Sequence, residues 1–272
     1  MSGNRCHGTD YHSRVLAPLA ARYATWLGLP AEATAETGDE DPAAVRAMPL
    51  ILRMERDEPP LRSALLEAAG SAVVRLCLDE RSRPGGMWYP EVAPWVSGRI
   101  RKVARRARRA QWLAVTELPG VTVEHHGAQV RALLPWLVAD APKAVTRLQV
   151  SGTDLAPDDP GPPPDDLPVL WLASAPALTA GKAAAQVGHA TMLLAALLSA
   201  EGRSAELHRW AAEGYRCAVR TASGQRWARL SGDHEPSRAW RKHGVLRVRD
   251  AGFTEVAPGT VTVAAQWPSA RR

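Results

Sequence analysis

The chain has 272 residues, 46% of them hydrophobic, an ordinary share for a soluble globular protein and a length that allows two compact domains or one large one. Its net charge is +6 and its isoelectric point near 9.6, which suits an anionic partner such as nucleic acid or simply a basic, soluble surface. Three widely spaced cysteines, Cys6, Cys77 and Cys217, form no CxxC pair, which argues against a disulfide framework and against structural zinc.

Basic residues are thirty Arg and only four Lys, so each Lys stands out against an Arg background. Around Arg5, Arg14 and Arg22 the first thirty residues hold only short apolar runs, so no secretory signal is expected. The longest mostly apolar stretch, Ala190 to Leu198, is too short to span a bilayer. A cytoplasmic protein is the expectation.

In chain order, residues 1–47 hold an amphipathic helix over Val15–Leu29, started or interrupted at Pro18, and an acidic stretch from Ala31 to Pro42. Residues 48–153 open with an apolar strand, Pro49–Met54, and a helix, Leu61–Leu78. Arg99 to Arg109 then carries seven positive charges in eleven residues, enough to neutralise several phosphates; a solvated basic surface is the alternative. The pair His125-His126 lacks further ligands for a metal. Residues 154–166 contain five Asp and five Pro and almost nothing apolar, which predicts an exposed linker and a domain boundary.

From residue 167 to 272 the pattern is strand (Pro168–Ala173), long Ala- and Leu-rich helix (Lys182–Ala200), helix (Leu207–Ala212), strand (Tyr215–Arg220), short helix (Ser237–Arg241) and two strands (Val245–Asp250, Val261–Trp267). The fold class expected is α/β: a small mixed β-sheet flanked by helices in three layers, possibly two such domains in tandem. The tandem is suggested by a faint repeat. Pro49 and Leu61–Leu78 recur about 119 residues on, and Trp95 with Gly98 parallels Trp210 with Gly214.

Two segments could carry chemistry. In Ala180-Gly-Lys-Ala-Ala-Ala-Gln-Val-Gly-His-Ala190, Lys182, Gln186 and His189 project from one helical face at i, i+4 and i+7. Lys182 stands where the helix dipole disfavours a cation, which makes sense if an anion or a developing oxyanion sits against free backbone N–H groups; a solvated surface Lys is the alternative. Gly188, costly within a helix, implies a close approach of another backbone. In Asp250-Ala-Gly-Phe-Thr-Glu-Val-Ala-Pro-Gly-Thr260, Asp250 ends a strand, Pro258-Gly259 has the form of a type II turn, and Thr254, Thr260 and Thr262 offer hydroxyls.

Taken together, these segments resemble the type 2 peptidyl-tRNA hydrolase family over about 100 residues. The resemblance implies a four-stranded mixed sheet, a dimer or intramolecular pseudo-dimer, and hydrolysis of the ester between peptide and tRNA without metal or other cofactor. It implies Lys182, Asp250, Thr254 and Thr260 as catalytic residues and Gln186 and His189 as substrate-binding, with tRNA as partner. Three positions depart from the family pattern: Ala180 replaces a Lys, Phe253 an Arg and Glu255 a Gln. Arg105, Arg106, Arg108 and Arg109 of the first half are the candidates to supply the missing cationic contacts to RNA. A non-catalytic RNA- or nucleotide-binding protein that keeps the fold, or a structural partner, remains as an alternative.

Overall fold

The computed structural model describes residues 14–232 and 235–268, so Cys6 and Arg5 lie outside the described residues. The first half contributes α1 (Ala17–Gly28), β1 (Arg46–Arg53), α2 (Arg62–Cys77), α3 (Tyr89–Ser97), β2 (Lys102–Ala107), α4 (Ala110–Thr116), β3 (Gly120–His125), β4 (Ala128–Leu133), β5 (Trp136–Leu137) and α5 (Lys143–Thr146). The second contributes β6 (Val169–Leu172), α6 (Ala180–Ala200), α7 (Ser204–Ala212), β7 (Ala218–Thr221), α8 (Gly224–Ser231), α9 (Pro236–His243), β8 (Val245–Arg249) and β9 (Val261–Gln266).

Two mixed sheets result, with one topology used twice. The first has the order β2-β1-β4-β3, with β5 added beside β1; the second has the order β7-β6-β9-β8. In each, the central strand (β1 or β6) pairs in parallel with the strand after the crossover (β2 or β7) and antiparallel with β4 or β9. Alternation along the strands gives each sheet two apolar faces. Leu50 and Leu52 face a central core while Ile51 packs under α4 and α5; Leu170 and Leu172 face that same core while Val169 and Trp171 pack under α8. Each sheet is thus helix-covered on both faces.

The repeat extends to side-chain detail. Trp95 Nε1 donates to Arg101 O at 2.9 Å and Trp210 Nε1 to Arg216 O at 2.7 Å, each closing a loop onto the next strand. Helices α2 and α6 cross at matched glycines. A Cβ on Gly70 would lie 3.2 Å from Thr191 Cγ2, and one on Gly188 would lie 2.8 Å from Val73 Cγ2. The close approach inferred at Gly188 is therefore real, but side chains of the other half make it, with Lys102 Cε at 3.3 Å, rather than a backbone.

The two halves share one hydrophobic core that runs from Leu16 through α2 and α6 to Trp267. The acidic segment at 154–166 is largely exposed, as its composition predicts, yet it is tied down in its middle. Asp158 Oδ1 accepts from Ser63 N at 2.9 Å, capping α2, and Gly161 O accepts from Arg220 Nε at 2.7 Å. Helix α1 belongs spatially to the second half: Tyr23 Oη accepts from Arg247 N at 2.9 Å and Trp26 Nε1 donates to Arg249 O at 3.1 Å, covering the edge strand β8.

Helix α6 runs for 21 residues, longer than the apolar stretch inside it, and is long and apolar enough to cross a membrane; 78% of its most apolar window is buried in the protein. Strand β7 begins at Ala218 rather than Tyr215, because Gly214 and Tyr215 both take positive φ (70° and 56°) in the turn that brings Trp210 to Arg216. Cys77 and Cys217 are free and buried, and burial pushes the Cys77 thiol up to about 12.

Candidate active site

Strands β6, β7 and β8 run in one direction, so the start of α6, the start of α8 and the residue after β8 stand at one end of the second sheet. There the Lys182 ammonium and the Asp250 carboxylate meet, Nζ to Oδ2 at 2.8 Å, with side-chain exposures of only 10% and 7%. The anion demanded by a cation in the first turn of a helix is this carboxylate.

Asp250 is held on every side. Oδ2 also accepts from Gln186 Nε2 at 2.7 Å, and Oδ1 accepts from Gly252 N at 2.7 Å. Gln186 is fixed in turn by Thr262, whose hydroxyl donates to Oε1 at 2.7 Å. The loop geometry depends on two glycines of positive φ, Gly252 (83°) and Gly259 (78°); Gly259 N closes the loop on Asp250 O at 2.9 Å. Thr254, exposed, accepts from Lys182 Nζ at 3.1 Å.

Thr260 does not join this cluster through its side chain. Its hydroxyl donates to Ala257 O within the Pro258-Gly259 turn, and only its carbonyl serves the loop, accepting from Asp250 N. Thr262, buried on the inner face of β9, is the hydroxyl that reaches the site. The helix N-terminus does not offer free N–H groups either. Gly181 N donates to Thr153 Oγ1, Ala180 N to Thr153 O and Lys182 N to Thr179 Oγ1, so the first turn is already capped.

His189 shares the helical face of Lys182 and Gln186 but meets a different neighbour. Seven residues along a helix is about 10 Å, beyond the span of the β8–β9 loop. Its Nδ1 lies 3.0 Å from Lys102 Nζ of β2, in the first half. Burial, reinforced by the ammonium groups of Lys102 and then Lys182, drives the imidazole well below its usual range, so His189 is neutral. Burial also brings the Lys102 ammonium down to about 7. Lys102 further donates to Ile100 O at 3.4 Å and stands 5.0 Å from the Trp95 ring centroid. In the sequence Lys102 reads as one more charge in a basic run. Its being one of four lysines was the available signal.

Two of the departures from the family pattern, Phe253 and Glu255, make defined contacts. Glu255 accepts from Thr179 N at 3.0 Å and from Thr179 Oγ1 at 2.8 Å, clamping the loop onto the α6 cap, where a negative charge is favourable. Phe253, half-exposed, lies against Arg101 with Cζ 5.3 Å from the ring centroid.

The basic run is the strand β2 and its flanks, and most of it is engaged within the protein. Arg99 pairs with Asp39 (3.0 Å) and Glu40 (3.4 Å), and Arg101 donates to Glu40 Oε1 at 2.7 Å, which accounts for the acidic stretch after α1. Arg105 donates to Leu148 O at 2.8 Å, Arg106 to Gln149 Oε1, and Arg109 pairs with Asp57 at 3.4 Å. Arg108 N-caps no helix itself but stands just before α4. His125 Nε2 lies 2.9 Å from Glu67 Oε2, and Glu67 Oε1 also meets Arg220. Among the described residues no group of three His, Cys, Asp or Glu is placed to hold a metal.

Residues 169–272 match the family model described as Peptidyl-tRNA hydrolase PTH2, in agreement with the resemblance read from the two motifs. No curated protein and no solved structure matches the chain.

Proposed function

We propose, on the premise that the C-terminal domain belongs to the type 2 peptidyl-tRNA hydrolase family, that this chain cleaves the ester between a peptide or N-blocked amino acid and tRNA. The observation that carries the reading is the Lys182–Asp250 pair at 2.8 Å, set beside the exposed hydroxyl of Thr254 at the end of the second sheet.

In this reading Asp250 is an anchor rather than the base, since its two oxygens already accept from Lys182, Gln186 and Gly252. It fixes Lys182, whose ammonium spends two of its three N–H groups on Asp250 and Thr254 and keeps one to face an oxyanion. A water held by the Thr254 hydroxyl adds to the ester carbon. The C–O bond to the ribose then breaks, and the ribose oxygen takes the proton that the water gives up. Gln186 shapes the floor of the site by hydrogen bonding to Asp250 and Thr262, while His189 braces the same helix against Lys102 of the first half.

The test is release of labelled N-acetylaminoacyl groups from tRNA by the purified full chain. Turnover by the wild-type chain, lost in Asp250→Asn, supports the reading. Binding of the tRNA with no release above the uncatalysed rate contradicts it and leaves the non-catalytic RNA-binding alternative.

A further inference from the structure

Three regions of the surface concentrate arginine, and they differ in what they leave for a ligand. In the β2 region Arg99, Arg101 and Arg109 face the carboxylates of Asp39, Glu40 and Asp57, which offset part of its charge, while Arg105 and Arg106 donate to neutral groups. A hollow of about 660 Å³ beside α7 is lined by Arg75, Arg81 and Arg83 but also by Asp79 and Glu80, and Arg81 pairs with Asp79 at 2.7 Å and Arg83 with Glu80 at 3.3 Å. The third is the outer face of the second sheet, under α8 and α9.

Helix α8 turns Trp227 and Leu230 onto the sheet and leaves Arg226 and Arg229 exposed at i and i+3, side by side on its solvent face. Helix α9 buries Ala239 and Trp240 and exposes Arg241, Lys242 and His243 in its last turn. Between the two helices a hollow of about 500 Å³ is lined by Arg226, Arg229 and His243, and by Arg247, which is engaged by Ser231 O at 3.2 Å and Gly232 O at 2.6 Å and is not counted among the available cations; no described lining residue is a carboxylate. Arg226 is braced by stacking 4.2 Å from the Trp171 ring centroid. Among the described residues Arg229 and Lys242 make no ion pair within 4 Å.

We infer that this α8–α9 face is the surface on which the phosphodiester backbone of an RNA rests. Cationic side chains that are exposed, grouped and not matched by neighbouring carboxylates are what displace counterions from a polyanion; paired ones have already been neutralised. The location fits the reading of the active site, on which this inference rests for the identity of the RNA. Helix α8 begins at the same end of the sheet as Lys182 and Asp250, so an RNA lying along the outer face reaches that end with its terminus.

The experiment is binding of deacylated tRNA to the full chain across a salt series. Arg226→Ser/Arg229→Ser/Lys242→Ser is expected to weaken binding at least tenfold near 0.1 M salt and to flatten the slope of log Kd against log salt by about 2 to 3. The control Arg226→Lys/Arg229→Lys retains both affinity and slope, which a loss of folding would not. Unchanged affinity and slope in the triple Ser variant would overturn the inference, as would an equal loss from Arg105→Ser/Arg106→Ser/Arg109→Ser. Should the wild-type chain bind tRNA through this face yet release no ester, the surface stands and the hydrolase reading falls.

Discussion

The Lys182 ammonium and the Asp250 carboxylate sit where water scarcely reaches, and each is the other's main compensation. Removing one partner of such a pair leaves an uncompensated charge, at a cost of about 3–5 kcal/mol. Asp250→Asn should therefore lower the unfolding free energy by that order in urea titration, alongside the loss of turnover. A change below about 1 kcal/mol would mean that the pair is more solvated than its burial implies. The second lysine behaves differently. Lys102 has a folded-state value near 7, below the 10.5 of a free lysine, so the unfolded chain gains its proton first as pH falls. Lys102 thus costs stability progressively from about pH 10.5 down to 7, and the cost is constant below that. Lys102→Met should be more stable than wild type at pH 7 by a margin that shrinks towards pH 10, measured by chemical denaturation. His189 is also depressed, so its contribution is lost as pH falls below about 6.5. His189→Gln should flatten the fall in stability between pH 6.5 and 5.

Elements came from the sequence unevenly, and the reasons are local. Helix α6 was legible from Lys182 to Ala200 because Ala and Leu dominate it, and β6 because all four of its residues are buried. Strand β2 was hidden, since Lys102-Val-Ala-Arg-Arg-Ala107 shows no period-2 alternation and its apolar residues are small. That Lys182 and Asp250 share a site was readable as motif, though not their ion pair, whereas Lys102 beside His189 joins residues 87 apart across the two halves, with no local signal. A register shift in β9, not alternation, decides between two threonines: Val248 faces Val263 and Arg249 faces Val261, which leaves Thr262 as the extra residue turned to Gln186, whereas Thr260 lies in the turn before the strand. Glycines give the sharpest tests at this scale. A Cβ at Gly252 would lie 2.4 Å from Pro258 N on a backbone of φ +83°, so Gly252→Ala must move the loop that carries Asp250. It should abolish turnover while leaving tRNA binding largely intact. Gly188→Val strains the α2–α6 crossing instead and should cost about 1–3 kcal/mol of stability, read as a lower melting temperature.

Across the whole molecule, a boundary expected at the acidic segment coincides with a continuous core. Helix α6 packs against α2 and α1 as closely as against its own sheet, and β2 of the first half lies over its N-terminal half. The first half brings none of the Lys182 or Asp250 chemistry, yet it supplies Lys102 to His189 and Arg101 to Phe253. Unfolding should accordingly be a single cooperative transition by fluorescence and circular dichroism together. The segment 167–272 alone, stripped of the partners that bury Val187, Thr191 and Leu194, should not give a folded, active species. Two separated transitions would contradict a shared core.

The proposed hydrolysis turns on the Lys182 ammonium facing the scissile ester. Its most direct test is the single-turnover rate at which full-length Lys182→Ala releases an N-blocked amino acid from saturating tRNA substrate. Loss of one preorganised donor to a developing oxyanion predicts a rate at least about 100-fold below wild type with the tRNA still bound; release at the wild-type rate would contradict it.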